Sequence, residues 1–196
     1  SPASFVFYSQ GQLIEVGDGG SILAHREFPY FNREGFFFSS HQHTPSSLKN
    51  SGPGMVESDN GIYIAWNVFE EYSNKGSLVL KETINHALDH LLAQHKTIET
   101  NLAAQGIVTL TKQAKKKRYI NHLLYATPVK RGQGIEVIED IVPIYNTKVT
   151  VKVPTKIKRV YLAPQMEELS FEVNEDGDIK YEVPTIDCHQ MVVLEE

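Results

Sequence analysis

KVTVKVPTKIKRVYLAPQMEELSFEVNEDGDIKYEVPTIDCHQMVVLEE (Lys148–Glu196) reads almost throughout as short strands and turns. Apolar and polar residues alternate in KVTVKV, IKRVYLA, ELSFEV and DIKYEV, and CHQMVVLE closes the run. A period of two sends successive side chains to opposite faces, as in a half-buried strand. Pro154, Pro164, Pro184 and the Asp176-Gly177 step read as the turns between them. The same pattern extends back through GIEVIEDIVPIY (134–145), RYINHLLYA (118–126) and IVTLT (107–111), broken at Pro128 and Lys130-Arg131-Gly132. Many closely spaced strands with no helix between them predict an antiparallel β-sandwich over residues 106–196. Lys115–Arg118 falls between two of these strands and reads as a solvated hairpin tip.

Residues 1–105 show a different pattern. Ser4–Tyr8 and Gln12–Val16 are rich in β-formers, and Gly17–Gly20 (GDGG) reads as a hairpin turn into SILAH. The turn lacks the Gly-Lys-Ser/Thr ending and the following helix of a phosphate loop. Gly35–Ser39 (GFFFS), a continuous apolar run, suits a strand buried on both faces. Thr44–Gly54 holds two prolines, two glycines and four Ser/Thr residues, which predicts a loop. Met55–Ser58 and Ile62–Trp66 read as a hairpin around Asp59-Asn60-Gly61, whose Asn-Gly step favours a type I′ turn. Leu80, Ile84, Ala87, Leu88 and Leu91 form one apolar stripe and predict a helix over Leu78–Gln94, with Ser77 as N-cap. That stripe should be buried against the sheet, while Glu82, His86, Asp89 and Ala93 face outward.

Composition narrows the function classes. A chain of 196 residues that is 41% hydrophobic and 22% charged has enough apolar material for a folded core. Residues 1–105 carry 6 Lys/Arg against 11 Asp/Glu and the remainder 13 against 13, so no basic surface is present for nucleic acid. Cys188 is the single cysteine, which excludes an intrachain disulfide and a multi-cysteine metal cluster; its place in IDCHQMVVLE reads as a strand position. No apolar run reaches the ~18 residues needed to cross a bilayer. The start, SPASFVFYSQ, lacks the regions of a signal peptide and reads as a chain cut just before a strand, so a cytoplasmic location is expected.

Local chemistry is sparse. His41 and His43 are the sharpest candidates, because residues two apart in an extended segment share a face, and Gln42 sits between them. Six of the eight histidines lie before residue 96, yet no third ligand is identifiable, so no metal or cofactor is assigned. His86 and His90 are spaced as in HExxH, but Ala87 stands where the glutamate belongs. A glycosidase needs two carboxylates facing one bond. Glu70–Glu71, Glu139–Asp140 and Glu167–Glu168 are adjacent pairs, and neighbours on a strand face opposite ways. Tyr119, Tyr125, Tyr145, Tyr161, Phe171 and Tyr181 alternate within strands, which predicts a core role rather than a sugar platform.

PYFNR (Pro29–Arg33), SSHQHTP (Ser39–Pro45) and IYIAWNVFEEY (Ile62–Tyr72) resemble the closing half of the β-galactosidase trimerisation-type domain. That domain is a flavodoxin- or amidotransferase-like α/β layer behind the catalytic barrel of some bacterial glycoside hydrolases. HLLYATPVKRGQGIEVIEDIVPIYNTKVTVKV (His122–Val153), RVYLAP (Arg159–Pro164) and VPTIDCHQMVVLE (Val183–Glu195) are similar to the small C-terminal β domain of the same proteins, the group related to α-L-fucosidases. The resemblance implies a strand-rich α+β chain, with residues 1–105 ending a partial amidotransferase-like α/β layer and residues 106–196 forming the sandwich. It also implies that the catalytic acid and nucleophile belong to an upstream barrel and that no catalytic residue carries over to this chain. The expected role is an accessory and assembly region, self-associating and packed on that barrel, with His41, Gln42 and His43 at the rim of a sugar pocket. A carbohydrate-binding β-sandwich and a small metal-dependent hydrolase built on His41 and His43 are the alternatives.

Overall fold

In the computed structural model, residues 5–30 and 45–196 are described. The predicted strand Gly35–Ser39 and the candidates His41, Gln42 and His43 lie outside them. The chain divides into two compact units, Ser1–Gln94 and His95–Glu196.

Among the described residues, the first unit holds a three-stranded meander and two helices. β1 (Ser21–Pro29), β2 (Ser46–Ser58) and β3 (Gly61–Ile64) pair in the order β1-β2-β3, antiparallel throughout. These strands supply none of the parallel crossovers on which an amidotransferase-like layer is built. Phe5–Tyr8 and Gln12–Val16 are not strands. Their polar groups are met elsewhere: Tyr8 N (3.1 Å) and Ser9 N donate to the buried Glu71 carboxylate, and Gln12 N donates to Ala65 O at 2.7 Å.

The predicted loop Thr44–Gly54 is largely strand, because β2 begins at Ser46. Its glycine and proline residues are absorbed by four register shifts against β1, with Gly52 at φ 110°. Arg26 in β1 ties this irregular edge down, donating to Ser51 O at 2.8 Å and Gln12 O at 3.1 Å. The Asp59-Asn60 hairpin forms as expected, but only Gly61 (φ 141°) takes a positive φ, so the turn is not type I′.

α1 (Val68–Lys75) is a helix that the apolar periodicity did not predict. Gly76 ends it in the left-handed region (φ 62°), with its N–H on Tyr72 O at 2.7 Å. α2 (Leu78–Leu92) then starts from Ser77, whose carbonyl takes the Leu80 N–H at 3.1 Å while its hydroxyl makes no capping bond. Glu82, His86, Asp89 and Ala93 face outward as expected. The apolar stripe is only partly buried. Leu80 and Ala87 are enclosed, but Leu88 and Leu91 are 49% and 48% exposed, contrary to the expected packing against the sheet.

The second unit is the sandwich. Its strands are β4 (Ile98–Thr100), β5 (Ile107–Gln113), β6 (Arg118–Leu124), β7 (Val129–Arg131), β8 (Ile135–Val137) and β9 (Ile144–Val151). They continue as β10 (Arg159–Ala163), β11 (Glu167–Glu168), β12 (Phe171–Val173), β13 (Ile179–Ile186) and β14 (His189–Glu195). One sheet runs β11-β10-β14-β6-β5, the other β12-β13-β9-β4, and every pairing is antiparallel. The unit begins at His95 because Ile98–Thr100 pairs with Val149–Val151. Leu123, Val160, Val192 and Leu194 from one sheet meet Val149, Val151, Ile179 and Val183 from the other in a single core. Val160, Leu162, Val192 and Leu194 keep the inward positions that period two assigned them.

Three details differ from the alternation reading. ELSFEV is split, with β11 in one sheet and β12 in the other, so the chain changes sheets near Leu169. Pro184 is not a turn but lies inside β13, beyond the residues that β12 pairs, where a missing N–H interrupts no ladder on that side. GIEVIEDIVPIY contributes to the β7–β8 ribbon and the start of β9, leaving Ile135, Ile138, Ile141 and Val142 exposed. Lys115 and Lys116 sit in a short 3-10 turn at the β5–β6 tip, the solvated position expected of them. No helix among the described residues is long and apolar enough to cross a membrane.

Candidate functional site

Among the described residues of the first unit, a shallow concavity lies where β3 passes into α1. Ile62, Ile64, Trp66, Val68 and Phe69 wall a groove of about 460 Å³, with Asn67 and Glu70 as its polar side. Trp66 is fixed from behind. Phe7 stacks on one face at 4.4 Å and 5°, and an added Cβ at Gly11 would stand 2.5 Å from Trp66 Cε2. Gly54 is also close, its added Cβ falling 3.2 Å from Trp66 Cζ3. The irregular segment Phe5–Val16 therefore acts as a backing strap for the tryptophan, anchored at Glu71 and Ala65. Asn67 Nδ2 donates to Glu70 Oε2 at 3.2 Å, so the two polar groups satisfy each other. Phe69 is 71% exposed and Tyr63 53%. Such a groove offers apolar and aromatic contact with little unpaired polarity, which suits a protein surface better than a hydrolytic reaction.

A side chain at Gly11 has no room beside Trp66. Gly11→Val is therefore expected to detach the strap, costing about 1–3 kcal/mol by overpacking. Tryptophan fluorescence should move to the red as the Phe7 stack opens. Unchanged emission and stability would mean the strap does not hold the indole.

The other candidate residues are dispersed. His86 and His90 have ring centroids 6.4 Å apart on α2, and His90 Nε2 is bound to Glu57 Oε1 at 2.7 Å. His86 thus faces outward while His90 is engaged by β2. Glu139 is held by Arg131 and Glu168 by Arg159 (2.8 Å), so these acids are committed to ion pairs. Glu70 and Glu71 lie on α1 rather than on a strand as expected; Glu70 borders the groove while Glu71 is buried. Cys188 is half-buried in the β13–β14 turn rather than in a strand. Tyr119, Tyr161 and Tyr181 are buried as predicted, but Tyr145 is 62% exposed. Sequence reasoning missed the Trp66 groove and an outward-facing pair, His122 and His189, whose nitrogens lie 3.1 Å apart. The groove had a legible signal in the single tryptophan after a strand. The pair had none, because 67 residues separate its members.

No protein-family model and no curated protein sequence matches the chain. Among solved structures, alpha-L-fucosidase isoenzyme 2 from Paenibacillus thiaminolyticus superposes with a TM-score of 0.92 at 56% sequence identity, over 98% of this chain. The chain is similar to part of a glycoside hydrolase. It spans 29% of that enzyme's length. Identity at this level over nearly the whole chain extends the likeness from the sandwich to the β3–α1 groove and its backing strap.

Proposed function

We propose that the chain is a non-catalytic accessory and assembly region of a multidomain bacterial glycoside hydrolase, whose catalytic barrel lies upstream. The observation that carries this reading is the asymmetric match: 98% of this chain against 29% of an alpha-L-fucosidase. In it the first unit is the end of a trimerisation-type domain and the second is the C-terminal β domain. Exposed large apolar side chains support the reading, since a partner's surface would remove them from water. The first unit exposes Phe69, Leu88, Leu91 and Leu92, and the second exposes Ile135, Ile138, Ile141 and Val142. The barrel and a second copy of the chain are the proposed partners, with His41, Gln42 and His43 at the rim of a sugar pocket.

Separated from its barrel, the chain is expected to self-associate, most simply as a symmetric dimer. It is also expected not to hydrolyse aryl fucosides or galactosides. Sedimentation at micromolar concentration and a chromogenic glycoside panel test the two halves. A strict monomer would defeat the assembly claim. Robust hydrolysis lost on replacing one carboxylate would overturn the non-catalytic one.

A further inference from the structure

The outer face of the five-stranded sheet carries a feature unrelated to assembly. In β6, Asn121 and Leu123 point into the sandwich, so His122 between them points out. In β14, Gln190 and Val192 are buried and His189 lies outward. The register places Met191 opposite His122 and Leu124 opposite His189, so the histidines are diagonal neighbours on one face. His122 Nδ1 and His189 Nε2 are 3.1 Å apart. The ring planes lie within 7° of parallel, with centroids 5.3 Å apart. Because the centroids are so much farther apart than the nitrogens, the rings meet nitrogen to nitrogen rather than face over face.

Two imidazole nitrogens at this separation accommodate one small cation between them. A proton does so in an N–H···N hydrogen bond. A metal ion about 2.0–2.1 Å from both nitrogens fits the same separation at an N–metal–N angle of roughly 90–100°, lying off the line between them, so that binding requires each ring to tilt its lone pair toward the ion. We propose that His122 and His189 form a surface site for one divalent transition-metal ion, the shared proton passing through water to the other nitrogen of its own ring so that both facing nitrogens are free to bind. Imidazole ligands favour copper, nickel and zinc over magnesium and calcium.

The scaffold suits such a site. β6 and β14 are both interior strands of their sheet; His122 is paired on two sides, with Thr109 and Met191, and His189 with Leu124 on the β6 side. Among the described residues no three or more His, Cys, Asp or Glu side chains are grouped to hold a metal. The site therefore has two protein nitrogens and open positions for water, the character of an exchangeable ion rather than a closed structural one.

Copper sulfate titrated into the full chain tests this, with calorimetry for stoichiometry and electron paramagnetic resonance for coupled nitrogens. One tightest-bound ion per chain with two coupled imidazole nitrogens is expected. His122→Ala and His189→Ala should each weaken it by about tenfold or more, with the circular dichroism spectrum unchanged. His41→Ala/His43→Ala and His86→Ala/His90→Ala should leave it intact. No binding to the unaltered chain would overturn the proposal. So would binding that survives both His122→Ala and His189→Ala, or that is lost only with one of the other pairs.

Discussion

Leu194→Ala is expected to destabilise the second unit by about 2–5 kcal/mol, the usual cost of emptying a core leucine site. Leu194 is fully enclosed in β14, paired with Val160 of β10 on one side and Tyr119 of β6 on the other. Its side chain belongs to the core that joins the two sheets. Neighbours fixed in two ladders have little freedom to collapse into the space, which places the cost in the upper part of that range. Domains are stable by only ~5–15 kcal/mol, so the loss would be a large fraction of the total. Urea unfolding followed by far-UV circular dichroism measures it, and an unchanged slope would locate the effect in stability rather than compactness. Trp66 belongs to the first unit, so tryptophan fluorescence reports that unit separately. Leu88→Ala is the internal comparison. Half exposed on α2, it should cost under about 1 kcal/mol. Equal losses at the two positions would contradict the burial difference between them.

The second large effect concerns a side-chain hydrogen bond inside the sandwich that joins its sheets. Asn121 of β6 is fully buried; its Oδ1 accepts from Tyr181 of β13 at 2.8 Å and its Nδ2 donates to Thr109 O at 3.0 Å. Asn121→Leu strands the Tyr181 hydroxyl in an apolar setting, for which about 1–3 kcal/mol is expected. Asn121→Leu/Tyr181→Phe removes both partners and should recover part of that loss. A double variant as unstable as the sum of the singles would show the hydrogen bond to be unimportant. Burial also raises the Tyr181 phenol pKa above its ordinary value of about 10. The native phenol then stays neutral where the unfolded one ionises. Stability from this group is complete below about pH 10 and declines as pH rises beyond it. Tyr181→Phe should flatten that alkaline decline.

Alternation in the sequence determined the inward set of the second unit because residues two apart share a face, while Ile120, Tyr161 and Val193 form a second buried cluster on the opposite face of the same strands. Val160, Leu162, Val192 and Leu194 occupy the inward positions that rule assigns. Turns rich in lysine or glycine, such as Lys115–Lys117 and Asp176-Gly177, were equally legible, since they depend on local backbone and solvation alone. The stretch Gly134–Tyr145 could not be read the same way: its alternation is real, but no neighbouring strand pairs with residues 138–142. Only the tertiary structure decided which strand lies beside which. Pairing put β11 and β12 in different sheets, carried β13 through Pro184, and turned the glycine- and proline-rich Ser46–Gly54 into a bulged strand. It also left Leu88 and Leu91 half exposed, because helix periodicity fixes which residues share a face and not what packs against that face. The two histidines at 122 and 189 meet for the same reason. Each position's outward direction follows from its own strand, but the 3.1 Å approach depends on the β6–β14 register, a long-range choice made by the packing of the whole core.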